Sequence, residues 1–217
     1  MRDYDLIIFD CDGVLVDSEP LSCGALAAAL TRHGIDASLE TVFDRFLGRS
    51  FATVEAHVLA ITGAGLPAAF RDALRDDVTA AFTGGLRAID GIAELLARLD
   101  QPYCLASSSD RARIDLCLRL TGLDPSFAGR IFNAEMVARG KPAPDLFLHA
   151  AATMGADPAR CLVVEDSVSG VQAGKAAGMT VWGFTGGGHY AGRDGHGLLT
   201  AAGADRVLAG LDQFDAR

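Results

Sequence analysis

Long apolar runs are absent: no stretch of the 217-residue chain approaches the roughly 20 apolar residues needed to cross a bilayer. The opening MRDYDLIIFD is broken by acids too early for a secretory leader, so the expectation is a soluble, cytoplasmic protein with no membrane contact. Positive charge is also scarce, 19 Lys and Arg against 28 Asp and Glu, for a formal net charge of −9. That balance argues against nucleic acid as a partner. Basic pairs such as Arg111 and Arg113 sit among acids and read as a solvated helix face. Paired cysteine motifs are missing as well. Cys11, Cys23, Cys104, Cys117 and Cys161 form no CxxC and are odd in number, supporting neither a zinc site nor a disulfide framework. Buried reduced thiols are expected instead. Lysine occurs only at Lys141 and Lys175, so each position draws notice.

What is present has two rhythms. Tyr4 to Asp10 reads as a buried strand, a short apolar run closed by carboxylates and a glycine. From Glu19 to about Phe82 the pattern is helical. Apolar faces run through Leu21, Ala25, Ala28 and Ala29, then Val42, Phe43, Phe46 and Leu47, then Val54, Val58 and Ile61, then Phe70, Leu74 and Val78. Gly34, Gly48, Gly63, Gly65 and Pro67 punctuate these segments as helix ends and turns. After Gly84-Gly85, helices and strands alternate, with strands at Tyr103–Ala106, Ile131–Phe132, Cys161–Val164 and Thr180–Phe184. Alternation of this kind predicts an α/β fold, a doubly wound and mostly parallel sheet with an inserted helical domain. The expected division is residues 1–16 and 84–217 for the core and 17–83 for the helical insertion.

Four short segments fall at the predicted strand ends, where open parallel sheets bind ligands: Asp10-Cys11-Asp12-Gly13, Ser107-Ser108-Ser109, Lys141-Pro142 and Glu165-Asp166-Ser167. Asp10 and Asp12 can project near one point, and their repulsion raises the proton affinity of one, which suits acid–base work. Glu165 and Asp166 bring the carboxylates to four. A divalent cation is the economical compensation, and all-oxygen ligands favour Mg²⁺ over zinc. Lys141 supplies a point charge able to hold a carboxylate and a phosphate oxygen together. Ser107, with Ser108 beside it, offers a hydroxyl just before a helix N-terminus, an arrangement that suits phosphate. The sum is a phosphoryl site.

These residues resemble the haloacid dehalogenase superfamily, in its phosphatase and phosphomutase branch with a helical cap. Phe9 to Glu19 (FDCDGVLVDSE) looks like its first motif, Ser107 its second, Lys141 in GKPAPD its third, and Glu165-Asp166-Ser167 its fourth. The resemblance implies that Asp10 is the nucleophile, forming an aspartyl-phosphate, and that Asp12 is the acid and base. It implies Mg²⁺ held by Asp10, the Asp12 main-chain carbonyl, Asp166 and, directly or from the outer shell, Glu165. It further implies Ser107, Ser108 and Lys141 on phosphate, and Gly48-Arg49-Ser50 as a substrate-contacting cap loop.

The expected function is hydrolysis of a small phosphorylated metabolite, a sugar or polyol phosphate, by a monomer or weak homo-oligomer. A beta-phosphoglucomutase-type reaction is the alternative. Its family members carry histidine twelve residues after the nucleophile and arginine three after the cap-loop glycine, where this chain has Ser22 and Phe51. A phospho-acceptor signalling module is a further alternative, disfavoured by an acceptor on the first strand followed by a helical insertion. Several other features are assigned no role. Gly186-Gly187-Gly188 before His189 fits no phosphate-loop pattern and reads as a mobile loop. Gly170 to Lys175 imitates a P-loop but reads as helix interior. His33, His57, His149, His189 and His196 lack ligand spacing.

Overall fold

The computed structural model describes residues 4–48 and 51–215. Its centre is β1 (Leu6–Phe9), whose four side chains are all buried. A strand covered on both faces has no polar side to alternate with, which is why its sequence is an unbroken apolar run. Five more parallel strands join it: β2 (Tyr103–Ser107), β3 (Ile131–Asn133), β4 (Cys161–Glu165), β5 (Thr180–Phe184) and β6 (Arg206–Leu208), in the order β3-β2-β1-β4-β5-β6. β6 is absent from the sequence expectation. It is a three-residue edge strand that starts exposed, too short to show a periodicity.

Between β1 and β2 come α1 (Glu19–Arg32), α2 (Leu39–Phe46), α3 (Phe51–Thr62), α4 (Phe70–Gly85) and α5 (Ile92–Arg98). After β2 follow α6 (Arg111–Thr121), α7 (Asp124–Phe127), α8 (Asp145–Met154), α9 (Val168–Ala176) and α10 (Gly195–Ala201). One sheet face, through Leu6, Ile8, Cys104, Val163 and Val181, forms a core with Phe147 and Ala150 of α8, Val171 of α9 and Leu199 of α10. On the other face Phe9 meets Tyr103 and Phe214, Tyr103 meets Phe127, and Trp182 meets Phe214. Both faces are therefore dry, as a parallel sheet requires.

The chain divides into two units, Met1–Asp17 with Arg87–Arg217, and Ser18–Leu86. In the first, the segments that leave and re-enter the core run side by side: Asp17 N–H donates to Arg87 O (2.9 Å) and Ile89 N–H to Leu15 O (3.0 Å). The second unit has its own core of Cys23, Ala29, Leu30, Ile35, Val42, Phe46, Val54, Val58 and Phe70. The apolar faces read from sequence need correction here. Ala28 and Ile61 are exposed, whereas Cys23 and Leu30 take the buried positions on α1. Ser38 caps α2 by accepting from Thr41 N–H at 3.1 Å. Among the described residues no helix is long and apolar enough to cross a membrane.

Candidate active site

The register of the sheet brings three strand ends to one level, with Phe9 opposite both Leu105 and Val164. The next residue, Asp10, has its N–H tied to Val164 O (3.0 Å), so its side chain leaves the sheet beside β4. The chain then turns back within a few residues, Gly13 N–H donating to Val16 O (2.8 Å) with Gly13 at φ 76°. A Cβ at Gly13 would lie 1.9 Å from Asp166 Oδ2, so only glycine lets this turn approach that carboxylate.

Lys141, from the loop between β3 and α8, fills the centre. Its Nζ donates to Asp10 Oδ1 (2.6 Å), Glu165 Oε1 (2.6 Å) and Ala106 O (3.0 Å), which accounts for all three ammonium protons. The ammonium also lies 4.7 Å from the centre of the buried Phe147 ring, and the side chain is only 2% exposed. Glu165 is held from its other side, Oε2 accepting from Ser167 N–H and Ser167 Oγ, both at 2.9 Å. Where α9 passes, a Cβ on Gly170 would sit 1.7 Å from Glu165 Oε1. Asp10, Glu165 and Asp166 each offer an oxygen within 4.8 Å of the others, and all three residues are buried.

The electrostatics follow from that enclosure. Burial pushes the Asp10 carboxyl well above the usual range; Lys141 pulls it down, while Glu165, Asp166 and Asp12 push it further up. Burial also works against the Lys141 charge, yet Asp10 and Glu165 outweigh it and raise the ammonium above its ordinary value. Two of the three carboxylates bond the one ammonium, so the trio keeps a negative excess that adds to burial in raising Asp10. An all-oxygen trio carrying that excess fits a hard divalent cation. Asp10, Glu165 and Asp166 are the side chains that would hold it.

Asp12 is placed differently. Its carboxylate lies outside the trio, Oδ1 accepting from Arg113 Nη2 (2.7 Å) and Oδ2 from Ser109 Oγ (2.6 Å). Arg113 is therefore not a solvated surface charge, as its sequence neighbours suggest, but the ion-pair partner of a predicted site residue. Its four-residue spacing from Ser109 is the one local signal for it. Ser107 is buried and its Oγ accepts from Ser109 N–H (3.1 Å), whereas Ser108 is exposed. None of these serines caps α6; Asp110 does, accepting from Arg113 N–H at 2.8 Å.

The glycine-rich segment departs most from expectation. It is built into the core: Gly188–Tyr190 forms a 3₁₀ turn in which His189 and Tyr190 are buried. His189 Nε2 lies 3.2 Å from Asp166 Oδ2, and Tyr190 donates its hydroxyl to the Asp166 main-chain oxygen at 2.5 Å. Ligand spacing in sequence could not reveal His189, since its partner is 23 residues earlier on another strand end. Gly170 to Lys175 is helix interior, as read. Gly48 follows α2 at φ 67°, in the helical unit; Arg49 and Ser50 lie outside the described residues.

The model of a hydrolase family, the haloacid dehalogenase-like hydrolases, matches residues 4–178. The 6-phosphogluconate phosphatase of Escherichia coli is 32% identical over 185 residues, which are 85% of this chain and 84% of that protein. Hexitol phosphatase A of the same organism is 34% identical over 179 residues, 80% of each chain. Among solved structures, a HAD family hydrolase from Deinococcus radiodurans with bound phosphate and sodium is 37% identical. It superposes with a TM-score of 0.82 over 98% of this chain and 94% of that one.

Proposed function

Since this chain belongs to the haloacid dehalogenase-like hydrolase family, we propose that it is a Mg²⁺-dependent phosphatase of small phosphorylated metabolites, with sugar or polyol phosphates as its substrates. The observation that carries this reading is the enclosed Lys141 ammonium bridging Asp10 and Glu165, with Asp166 completing the carboxylate trio. The relatives named for 6-phosphogluconate and hexitol phosphates support the substrate class.

In the proposed mechanism Asp10 attacks phosphorus, displacing the alcohol and forming an aspartyl-phosphate, which water then hydrolyses. Lys141 holds the nucleophile by one oxygen, orienting it and lowering its proton affinity against the effect of burial. The same ammonium and the Ser107–Ser108 strand end neutralise charge on the transferring group, where catalysis of phosphoryl transfer gains most. A bound Mg²⁺ adds positive charge at the trio and so favours ionised Asp10. Asp12 gives a proton to the leaving oxygen and later takes one from water. To do so it exchanges its contacts with Arg113 and Ser109 for the substrate. Segment Ser18–Leu86 is assigned the choice of substrate, with Gly48, Arg49 and Ser50 as its contact residues. A cytoplasmic setting is part of the same proposal.

The test is a phosphate-release screen with Mg²⁺ over phosphorylated sugars, polyols and sugar acids, alongside glucose 1-phosphate primed with a bisphosphate. Steady release from at least one monoester, abolished in Asp10→Asn, is expected. Glucose 6-phosphate forming faster than free phosphate would replace the hydrolase reading with a mutase one.

A further inference from the structure

The turn after β5 takes no part in the reaction described above, yet it is built around one of that site's residues. His189 and Tyr190 are 2% and 8% exposed. Both close on Asp166, the ring of His189 on its carboxylate and the hydroxyl of Tyr190 on its main-chain oxygen. The two rings also brace each other, with centroids 4.2 Å apart. Glycines clear the space they need. A Cβ on Gly13 would lie 3.0 Å from His189 Cε1, one on Gly187 2.8 Å from the same atom, and one on Gly195 2.3 Å from Tyr190 Cδ1. Gly188 N–H donates to Asp17 Oδ1 (2.8 Å), which ties the turn to the loop after β1. A segment rich in glycine and held this closely is a fitted part.

We propose that His189 is a positioning residue for a divalent cation at the Asp10–Glu165–Asp166 trio, fixing the Asp166 carboxylate by one oxygen while Tyr190 fixes its peptide. The inference rests on the metal reading given under Proposed function. A carboxylate oxygen only accepts, so the tautomer with its proton on Nε2 is the one that makes this contact attractive. Holding one oxygen removes rotational freedom that cation binding would otherwise have to freeze. With its Nε2 engaged on Asp166 Oδ2 and its ring outside the Asp10–Glu165–Asp166 group, His189 acts on orientation and adds no ligand.

The experiment is a Mn²⁺ titration of the full-length protein without substrate, counting free ion by electron paramagnetic resonance. Wild type is expected to bind, and Asp166→Asn to lose binding. His189→Phe keeps a ring but no donor, and is expected to bind about 10- to 100-fold more weakly. His189→Gln presents an amide N–H at a similar reach, and should recover affinity to within a few fold of wild type. Should the Phe variant fail to fold, His189→Asn, whose amide is too short to reach, carries the same expectation. Equal affinity in wild type and the donor-less variant overturns the inference and leaves the metal reading standing. Equal weakening in the Gln and Phe variants also overturns it, since the ring would then serve only as filling. No Mn²⁺ binding in wild type refutes the metal reading itself, and this inference with it.

Discussion

Replacing Lys141 by Met is the most demanding perturbation of this site, because it keeps the volume of the stem and removes only the charged tip. Lys141 and Glu165 have side chains 2% and 1% exposed, and Asp10 9%, so solvent can do little to screen what is lost. Removing one partner of such a buried pair costs about 3–5 kcal/mol. For a protein of this size each kcal/mol moves the midpoint by about 2–4 °C, so a drop of about 6–20 °C is expected. The measurement is a thermal melt by circular dichroism in chelator at neutral pH.

The pH dependence follows in sign. The ordinary value for Asp10 is 3.8, and burial has raised it in the folded state. An acid raised on folding costs stability as pH climbs above its unfolded value, because the unfolded chain releases the proton first. Without Lys141 that carboxyl rises further, so the gap between wild type and Lys141→Met should stay level while both folded forms keep the proton and widen once pH passes the raised wild-type value. Lys141→Arg should not rescue, since the planar guanidinium cannot replace an ammonium enclosed by Asp10, Glu165, Ala106 and Phe147. A melt within about 2 °C of wild type, or a gap that narrows as pH rises, would refute the reasoning.

Asp12→Asn should lower phosphate release by about 10²- to 10⁴-fold while costing no more than about 1–3 kcal/mol in urea unfolding through its weakened contact with Arg113, and chelation should silence the wild type; both activities are read by a colorimetric phosphate assay. Gly13→Ala places a Cβ 1.9 Å from Asp166 Oδ2 on a backbone at φ 76°, and should lose more than about 1 kcal/mol in urea unfolding. Gly170→Ala, with its Cβ 1.7 Å from Glu165 Oε1, should fall at least as far and weaken Mn²⁺ binding too. Burial pushes the Cys117 thiol up to about 12 and Cys161 up to about 11, so neither should be alkylated in native protein at pH 8, whereas all five cysteines should be in urea, as mass spectrometry will count.

Much of this protein could be read without coordinates. The run Leu6-Ile7-Ile8-Phe9 can satisfy its burial only in a covered parallel sheet, and the residues that end β1, β2 and β4 are chemically distinctive and local. Asp10, Lys141, Glu165 and Asp166 were therefore legible as a group, since strand ends of one parallel sheet share an edge and opposite charges there must meet. Partnerships between distant residues were not. Arg113 looked like one of many arginines among acids, and only the path of α6 past the β1 loop, 101 residues away, makes it the partner of Asp12. His189 follows a glycine triplet whose composition describes a mobile loop equally well as a close-packed one. Which it is depends on whether another backbone comes near enough to need the missing Cβ atoms, and here Gly13 and Asp166 do. Composition and periodicity determine what each segment prefers by itself. Which charge neutralises which, and which carboxylate is held still, depends on distances that exist only once the chain has closed.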